Sequence, residues 1–463
     1  MSLFRTKNIA LLKEQVAKTT LKRSLGAVDV ALMGIGVIIG AGIFVLTGTA
    51  AATAAGPAIM LSFLFSSIAC VFVCLVYSEL ASAVPVAGSA YTFSYVGAGE
   101  FMAWLVGWAL ILEYTVGASA VAGGWSYYLI GLLKTGGIEV PAAFVNNPSD
   151  GGIINAPASF IALFITVLLV RGVKESANVN RVLVGVKLAA IFLFIILAGP
   201  SIDPRNWDPF FPYGWAGVPA GAAMIFFSYL GVDSLATAAE ETRNPQKDMP
   251  LGIIMSLVVC TILYISVSAV MTGAVPYTQL NTGEPVSFVL RQIGYNFGSA
   301  IVGVGAVAGL TTVCLVMIYA QTRAFFAMSR DGLIPKALCK VHPKYGTPYV
   351  ITIMVGCTVA VLAGLTPIHT VAEMCNVGTL FAFVIACASA MLLRKNQPDI
   401  ERPFRCPALY LVATLAILCC LYIMTGLSSF TWMLFCAWTI VGMFVYFLYG
   451  RRNSVLSSGQ SLA

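Results

Sequence analysis

Long apolar runs recur along this chain at a length that leaves few folds open. A helix needs about 20 apolar residues to cross the ~30 Å hydrocarbon layer of a bilayer. Measured against that length, the sequence holds twelve candidate spans, near 28–50, 57–84, 100–132, 157–171, 182–199, 217–240, 250–274, 297–329, 348–364, 371–393, 408–427 and 430–449. In hydrocarbon every backbone N–H and C=O needs a partner inside the protein, so runs of this length read as α-helices. The eighth run is longer than the layer requires and is expected to tilt or to continue into the cytoplasm, and residues 285–295 read as a separate interfacial helix. Composition agrees, with 59% hydrophobic and 10% charged residues, against about 25% charged in soluble domains. The expected fold class is an all-α polytopic membrane protein whose outer solvent and first partner is the lipid bilayer.

The formal charge of +7 would fit nucleic acid only if the basic residues formed a patch, and they do not. With the N-terminus placed inside, twenty-two Lys and Arg residues fall in cytoplasmic segments, while only Lys134, Arg205 and Arg291 fall outside. That asymmetry is the positive-inside pattern, so both termini are expected in the cytoplasm and no nucleic-acid partner is expected. The first 27 residues are polar and basic, unlike a cleavable signal peptide. Twelve cysteines lie mostly inside apolar runs with no CxxC pair, and only His342 and His369 are available to complete a metal site. They read as reduced packing residues, with no metal site and no cofactor beyond a coupling proton.

Two spans are interrupted by glycine and polar atoms near their middles. The first carries Gly40-Ala41-Gly42 and the sixth carries Ser228 to Gly231 within Phe226-Phe227-Ser228-Tyr229-Leu230-Gly231. The two lie five helices apart and run in opposite directions, so spans one to five and six to ten are expected to form inverted repeats with a binding site at their interface. An unwound stretch at membrane depth survives only beside a cavity or a ligand. A zwitterion suits it: the N–H groups of Gly40, Ala41, Gly42 and Ile43 face a carboxylate, helped by the positive end of the following half-helix. Carbonyls of Ile38, Ile39, Phe227 and Leu230 face an ammonium. The competing reading is close helix packing, since Gly36 and Gly40 also form a GxxxG pair.

Lys187 falls within the fifth span, where a charge costs about 2.5–3.5 kcal/mol on insertion scales. Either its side chain reaches back to the cytoplasmic interface, or it is a fixed ammonium in the place of a coupling cation, able to gain and lose a proton. Glu113 lies deep in the third span, as a proton-relay acid or as an interhelical tie. Glu79, Asp233, Glu240 and Glu241 are boundary acids. Phe226, Phe227 and Tyr229 flank the sixth-span break, and Phe227 is the expected wall or gate. No HExxH, GxSxG or Walker loop is present, so no catalytic residues and no enzyme activity are expected. Ser329 to Pro335 read as a helix end and turn at the cytoplasmic side.

At Gly36-Val37-Ile38-Ile39-Gly40-Ala41-Gly42-Ile43-Phe44, Phe226 to Asp233, Ala239 to Gln246 and Ala327 to Leu333, the chain resembles the amino acid-polyamine-organocation superfamily. Within it, the chain resembles bacterial members of the cationic amino acid transporter family. The resemblance implies twelve transmembrane helices in a LeuT-type five-plus-five inverted repeat with two C-terminal helices. On that frame, 1–27 is a cytoplasmic segment, 28–199 and 217–393 are the repeats, 408–449 the last two helices and 450–463 a cytoplasmic tail. It further implies a small-molecule amino acid held by the broken first and sixth helices. Proton coupling is implied as well, because Lys187 matches a fifth-helix lysine standing where sodium-coupled members bind Na⁺. The chain departs from the family pattern at Val232, where Phe is usual. Met317 matches a pocket-facing position that is smaller in relatives selecting cationic substrates, so neutral L-amino acids are favoured over cationic ones.

The expectation is import by proton symport at the bacterial plasma membrane. The alternatives are an amino acid or amine exchanger without net proton coupling, and a sensor or membrane enzyme, for which neither a catalytic constellation nor a soluble domain is present. Attachment of a small membrane subunit stays open.

Overall fold

The computed structural model describes residues 5–7, 25–84, 89–172, 177–231, 235 and 242–457. Val232, Asp233, Glu240 and Glu241, most of the N-terminal segment and residues 458–463 lie outside these residues. The described chain is helical, and its sole β feature is an isolated parallel bridge between Leu25 and Thr242. Seven helical runs among the described residues are long and apolar enough to cross a membrane: Gly42–Ala83, Glu100–Thr135, Arg181–Ser201, Lys247–Ala274, Asn296–Arg330, Ile368–Asn396 and Ser429–Asn453. Shorter apolar helices occupy Ala27–Ile38, Ala156–Val170, Gly217–Tyr229, Tyr349–Leu365 and Leu409–Met424.

In chain order the helices used below are α1 (Ala27–Ile38), α2 (Thr47–Ala50, between π-turns Gly42–Leu46 and Ala51–Ala55), α3 (Ile59–Ala83) and α4 (Ser89–Gly97). They continue with α5 (Glu100–Thr135), α6 (Ala156–Val170), α7 (Ala177–Ala198), α8 (Gly217–Ile225), α9 (Pro245–Ala274) and α10 (Pro285–Gln292). The last are α11 (Asn296–Arg330), α12 (Tyr349–Leu365), α13 (Ile368–Asn396), α14 (Leu409–Met424) and α15 (Ser429–Val445).

The first expected span is interrupted where its glycines stand, and it runs a few residues further than expected. The span expected over 28–50 is split after Ile38, and its second part runs on to Ala55. There Gly56, at φ +63°, reverses the chain. A positive φ suits glycine, which has no Cβ to clash, and a Cβ at Gly56 would lie 2.3 Å from Pro212 Cγ. The reversal is visible in the neighbours. Gly42 lies on Ser228 while Ala54 and Ala55 lie on Gly217 and Gly221, so this segment runs against α8. After the turn, Ser62 Oγ donates to Val218 O at 2.8 Å and Phe63 meets Tyr229 at 6.5 Å between ring centroids, so α3 runs along α8.

Large apolar side chains cover the outside as well as the core. Ile196 is 67% exposed, Ile262 60% and Leu448 68%. Water would penalise such faces on many helices at once, whereas lipid does not. Buried charge is concentrated at one end of the bundle, where it is paired. Lys7 Nζ meets Asp331 Oδ1 at 2.6 Å, and the Tyr91 hydroxyl donates to the other oxygen of Asp331 at 2.6 Å. Glu100 accepts from the hydroxyls of Tyr95 at 3.1 Å and Tyr446 at 3.0 Å. Burial pulls the Lys7 ammonium below its ordinary value, against the opposing pull of Asp331. Close by in role, Glu79 accepts from Arg394, lies 3.4 Å from Arg402 and takes the Cys406 N–H at 2.7 Å. The turn after α11 therefore does more than end a helix, because Asp331 in it anchors the N-terminal residues.

Candidate functional site

α1 stops where its sequence turns to Ile39-Gly40-Ala41-Gly42. Ile39 is extended, at φ −74° and ψ 101°, and the chain then re-enters helical geometry at Ala41. Helix starts leave their first N–H groups without intrahelical acceptors, so Ala41, Gly42 and Ile43 offer donors at this point. The first bond of the new turn, Phe44 N–H to Gly40 O, is long at 3.4 Å. Five residues of π-geometry follow, with Thr47 Oγ1 donating to Gly42 O at 3.0 Å. π-turns of this kind are frequent at functional sites.

α8 breaks in a different way. It tightens into a 3₁₀ turn over Phe226–Tyr229, Leu230 becomes extended at φ −61° and ψ 149°, and Gly231 takes φ +87°. The two breaks touch. A Cβ on Gly42 would lie 2.1 Å from Ser228 Oγ and 2.4 Å from Ser228 Cα, so only glycine allows this approach. Ser228 Oγ is buried there and has no hydrogen-bond partner among the described residues. Gly40 faces α11, where its Cβ would meet Val313 at 3.4 Å.

The carbonyls at these breaks are shared with other helices. Ile38 O accepts from the Tyr264 hydroxyl at 2.8 Å, and Gly36 O accepts from Lys187 Nζ at 2.7 Å. Phe227 O accepts the Leu230 N–H at 3.3 Å. Asn376 Nδ2 donates to Ala223 O at 2.7 Å and Met224 O at 3.3 Å, just before the α8 break, and Tyr128 donates to Phe44 O at 2.6 Å. A carbonyl oxygen has two lone pairs, so one side-chain donor does not by itself saturate it.

Lys187 is 1% exposed, which overturns the reading that its side chain reaches an interface. Its methylenes cross Gly309 of α11, where a Cβ would lie 2.9 Å from Lys187 Cε, and its ammonium caps the carbonyl end of α1. A cation at a helix C-terminus is favourable because the carbonyl dipoles point at it. Glu113, 2% exposed, packs elsewhere, against Gly378 of α13, and its carbonyl accepts the Cys375 thiol at 3.1 Å. Met317 stands one turn beyond Val313 on α11, with its sulfur 3.2 Å from where a Cβ would sit on Gly117 of α5. Ile43, Phe227 and Leu230 are buried at the breaks. The structure thus gathers Ile38, Ile39, Gly40, Ala41, Gly42, Ile43, Phe227, Ser228 and Leu230 around one contact, with Lys187 behind it and Met317 to one side. Tyr264, Asn376 and Tyr128 were not anticipated. Their signal was a hydroxyl or amide inside an apolar run, which must find a partner in hydrocarbon.

Two touching helix breaks lie buried in a helical bundle with apolar outer faces, and the comparisons give the class, a multi-pass membrane transporter. A profile of the amino acid permease family matches residues 25–446. The chain is 48% identical over 462 residues to the branched-chain amino acid permease BcaP of Bacillus subtilis, covering 98% of this chain and 99% of that protein. It is 47% identical over 458 residues to the methylthioribose transporter of the same bacterium, covering 98% and 99%. It is 38% identical over 388 residues to the vacuolar cationic amino acid transporter 4 of Arabidopsis thaliana, covering 82% of this chain and 64% of that one. The chain belongs to the amino acid permease family of the amino acid-polyamine-organocation superfamily.

Proposed function

We propose that this protein imports neutral L-amino acids across a bacterial plasma membrane by alternating access, driven by proton symport. The proposed frame is twelve membrane helices, a five-plus-five inverted repeat and two further helices, with both termini in the cytoplasm. Support for the repeat comes from two broken segments that run antiparallel and meet at Gly42 and Ser228.

One observation carries the coupling: a fully buried ammonium, Lys187, is hydrogen-bonded to the carbonyl end of the broken first helix. Loss of its proton would remove the charge that complements that end, and so change which arrangement of α1 is favoured. The substrate's carboxylate meets the N–H groups at Ala41 to Ile43, and its ammonium meets the remaining lone pairs at Ile38, Ile39, Phe227 and Leu230. Met317 fills the side-chain end with an apolar wall that disfavours a guanidinium, and the kinship with a branched-chain amino acid permease supports a neutral substrate. Glu113 is proposed as a second proton-handling group.

The test is uptake of labelled amino acids into proteoliposomes with and without an inward proton gradient, for the native protein and Lys187→Ala. Accumulation that needs both the gradient and Lys187 supports symport. Uptake that ignores the gradient but rises with internal amino acid would replace symport with exchange. A second substrate reading is favoured by the nearly equal identity to a methylthioribose transporter. That sugar thioether lacks both ammonium and carboxylate, so competition of amino acid uptake by methylthioribose, or its absence, separates the two.

A further inference from the structure

The carbonyl end of α1 is capped by side chains from two other helices. The last four carbonyls of a helix lack intrahelical donors. Of these, Gly36 O is taken by Lys187 of α7 and Ile38 O by Tyr264 of α9. The Tyr264 oxygen also lies 3.0 Å from Ser228 O, in the second break. Carbonyls from both breaks therefore converge on one phenol. Its ring is fully buried and held between Phe63, at 5.1 Å between centroids, and Tyr229, at 5.5 Å. With the ring fixed, the hydroxyl has little freedom except the direction of its proton.

A phenol carries one proton and donates one full hydrogen bond. Two carbonyls share it here, so at any moment its proton points to only one of them. A cationic donor arriving between the breaks would take the carbonyl that the phenol leaves. We propose that Tyr264 is a positioning residue of the binding site: its hydroxyl gathers the Ile38 and Ser228 carbonyls of the two broken helices, and its proton turns to whichever carbonyl the substrate ammonium does not occupy. This rests on the amino acid reading of the site. It also makes Tyr264 the contact through which the Lys187-capped end of α1 is tied to α8.

Tyr264→Phe deletes the hydroxyl and keeps the ring. In proteoliposomes it is expected to raise KM for the transported amino acid about fivefold or more with the maximal rate within about twofold, the size of one net hydrogen bond. A fall in rate or in folded yield with native KM would show a packing role only and overturn the proposal. A second readout needs no substrate. Hydrogen exchange of the substrate-free protein is expected to quicken in Tyr264→Phe over both 36–44 and 226–231, and a change confined to α9 would overturn the tie. If the native protein transports no amino acid, the function proposed above fails, while the exchange result still decides whether Tyr264 joins the breaks. Should Tyr264→Phe fail to fold, 3-fluorotyrosine placed at 264 strengthens the donor without changing shape. Slower exchange at both breaks would sustain the proposal, and unchanged exchange would overturn it.

Discussion

The two helix breaks meet at one point yet are built differently. In the first, α1 simply stops, and its loose carbonyls are satisfied by Lys187 and Tyr264, from helices far away in sequence. In the second, α8 tightens into its own 3₁₀ turn and the Leu230 N–H closes back on Phe227 O, while Asn376 holds the turn before it and the Tyr264 hydroxyl reaches Ser228 O within it. The first break therefore depends on the positions and charge states of its neighbours, whereas the second closes one backbone hydrogen bond of its own besides those it takes from Asn376 and Tyr264. A segment whose caps sit on other helices responds when those helices move or lose a proton. The first break is therefore expected to respond more strongly than the second to a change in its neighbours.

That contrast can be broken most severely at the contact itself. Gly42→Ala forces a methyl into Ser228 backbone atoms, so uptake is expected to fall about a hundredfold or more. Gly40→Ala meets only Val313 side-chain atoms at ordinary distance and should keep uptake within about tenfold; equal losses in the two variants would show that close approach at Gly42 is not special. Next in size is Asn376→Ala. It strips the donor from the Ala223 and Met224 carbonyls, at about 1–3 kcal/mol. A lowered Tm with quicker exchange around 223–227 is expected, and exchange that quickens equally at 36–44 would mean that the two breaks open together.

Met317→Ser leaves both breaks intact and enlarges the side-chain end. Arginine is expected to begin competing for uptake while neutral substrates weaken by about tenfold or less, and continued exclusion of arginine would move the specificity wall elsewhere. The smallest effect is expected from Ser228→Ala. Its hydroxyl has no partner among the described residues, so Tm should change by no more than a ΔΔG of about 0.5 kcal/mol implies. A raised KM without that loss would place the hydroxyl on the substrate.

The location of the candidate site was legible in the sequence for a definite reason. Glycine and polar backbone in the middle of an apolar run, and one lysine among hydrocarbon, are expensive in lipid and seldom occur without a use. Hence Gly40 to Gly42, Ser228 to Gly231 and Lys187 are legible from the sequence itself. Tyr264 and Asn376 did not, because one hydroxyl or amide per helix is ordinary, and which carbonyl it meets depends on the rotation of that helix against others. Asp331 looked like part of a turn, since its partner Lys7 lies at the opposite end of the chain.

The sequence by itself determined the solvent, the helical class and the places where helices fail, since each follows from what a local stretch of backbone and side chains costs in hydrocarbon. Only the tertiary structure decided that the failures face each other through Gly42 and Ser228, and that Lys187 and Tyr264 cap the same helix end. Those are contacts between helices distant in the chain. They are set by packing and by the search of each buried polar atom for a partner, and local sequence carries no record of which partner is found.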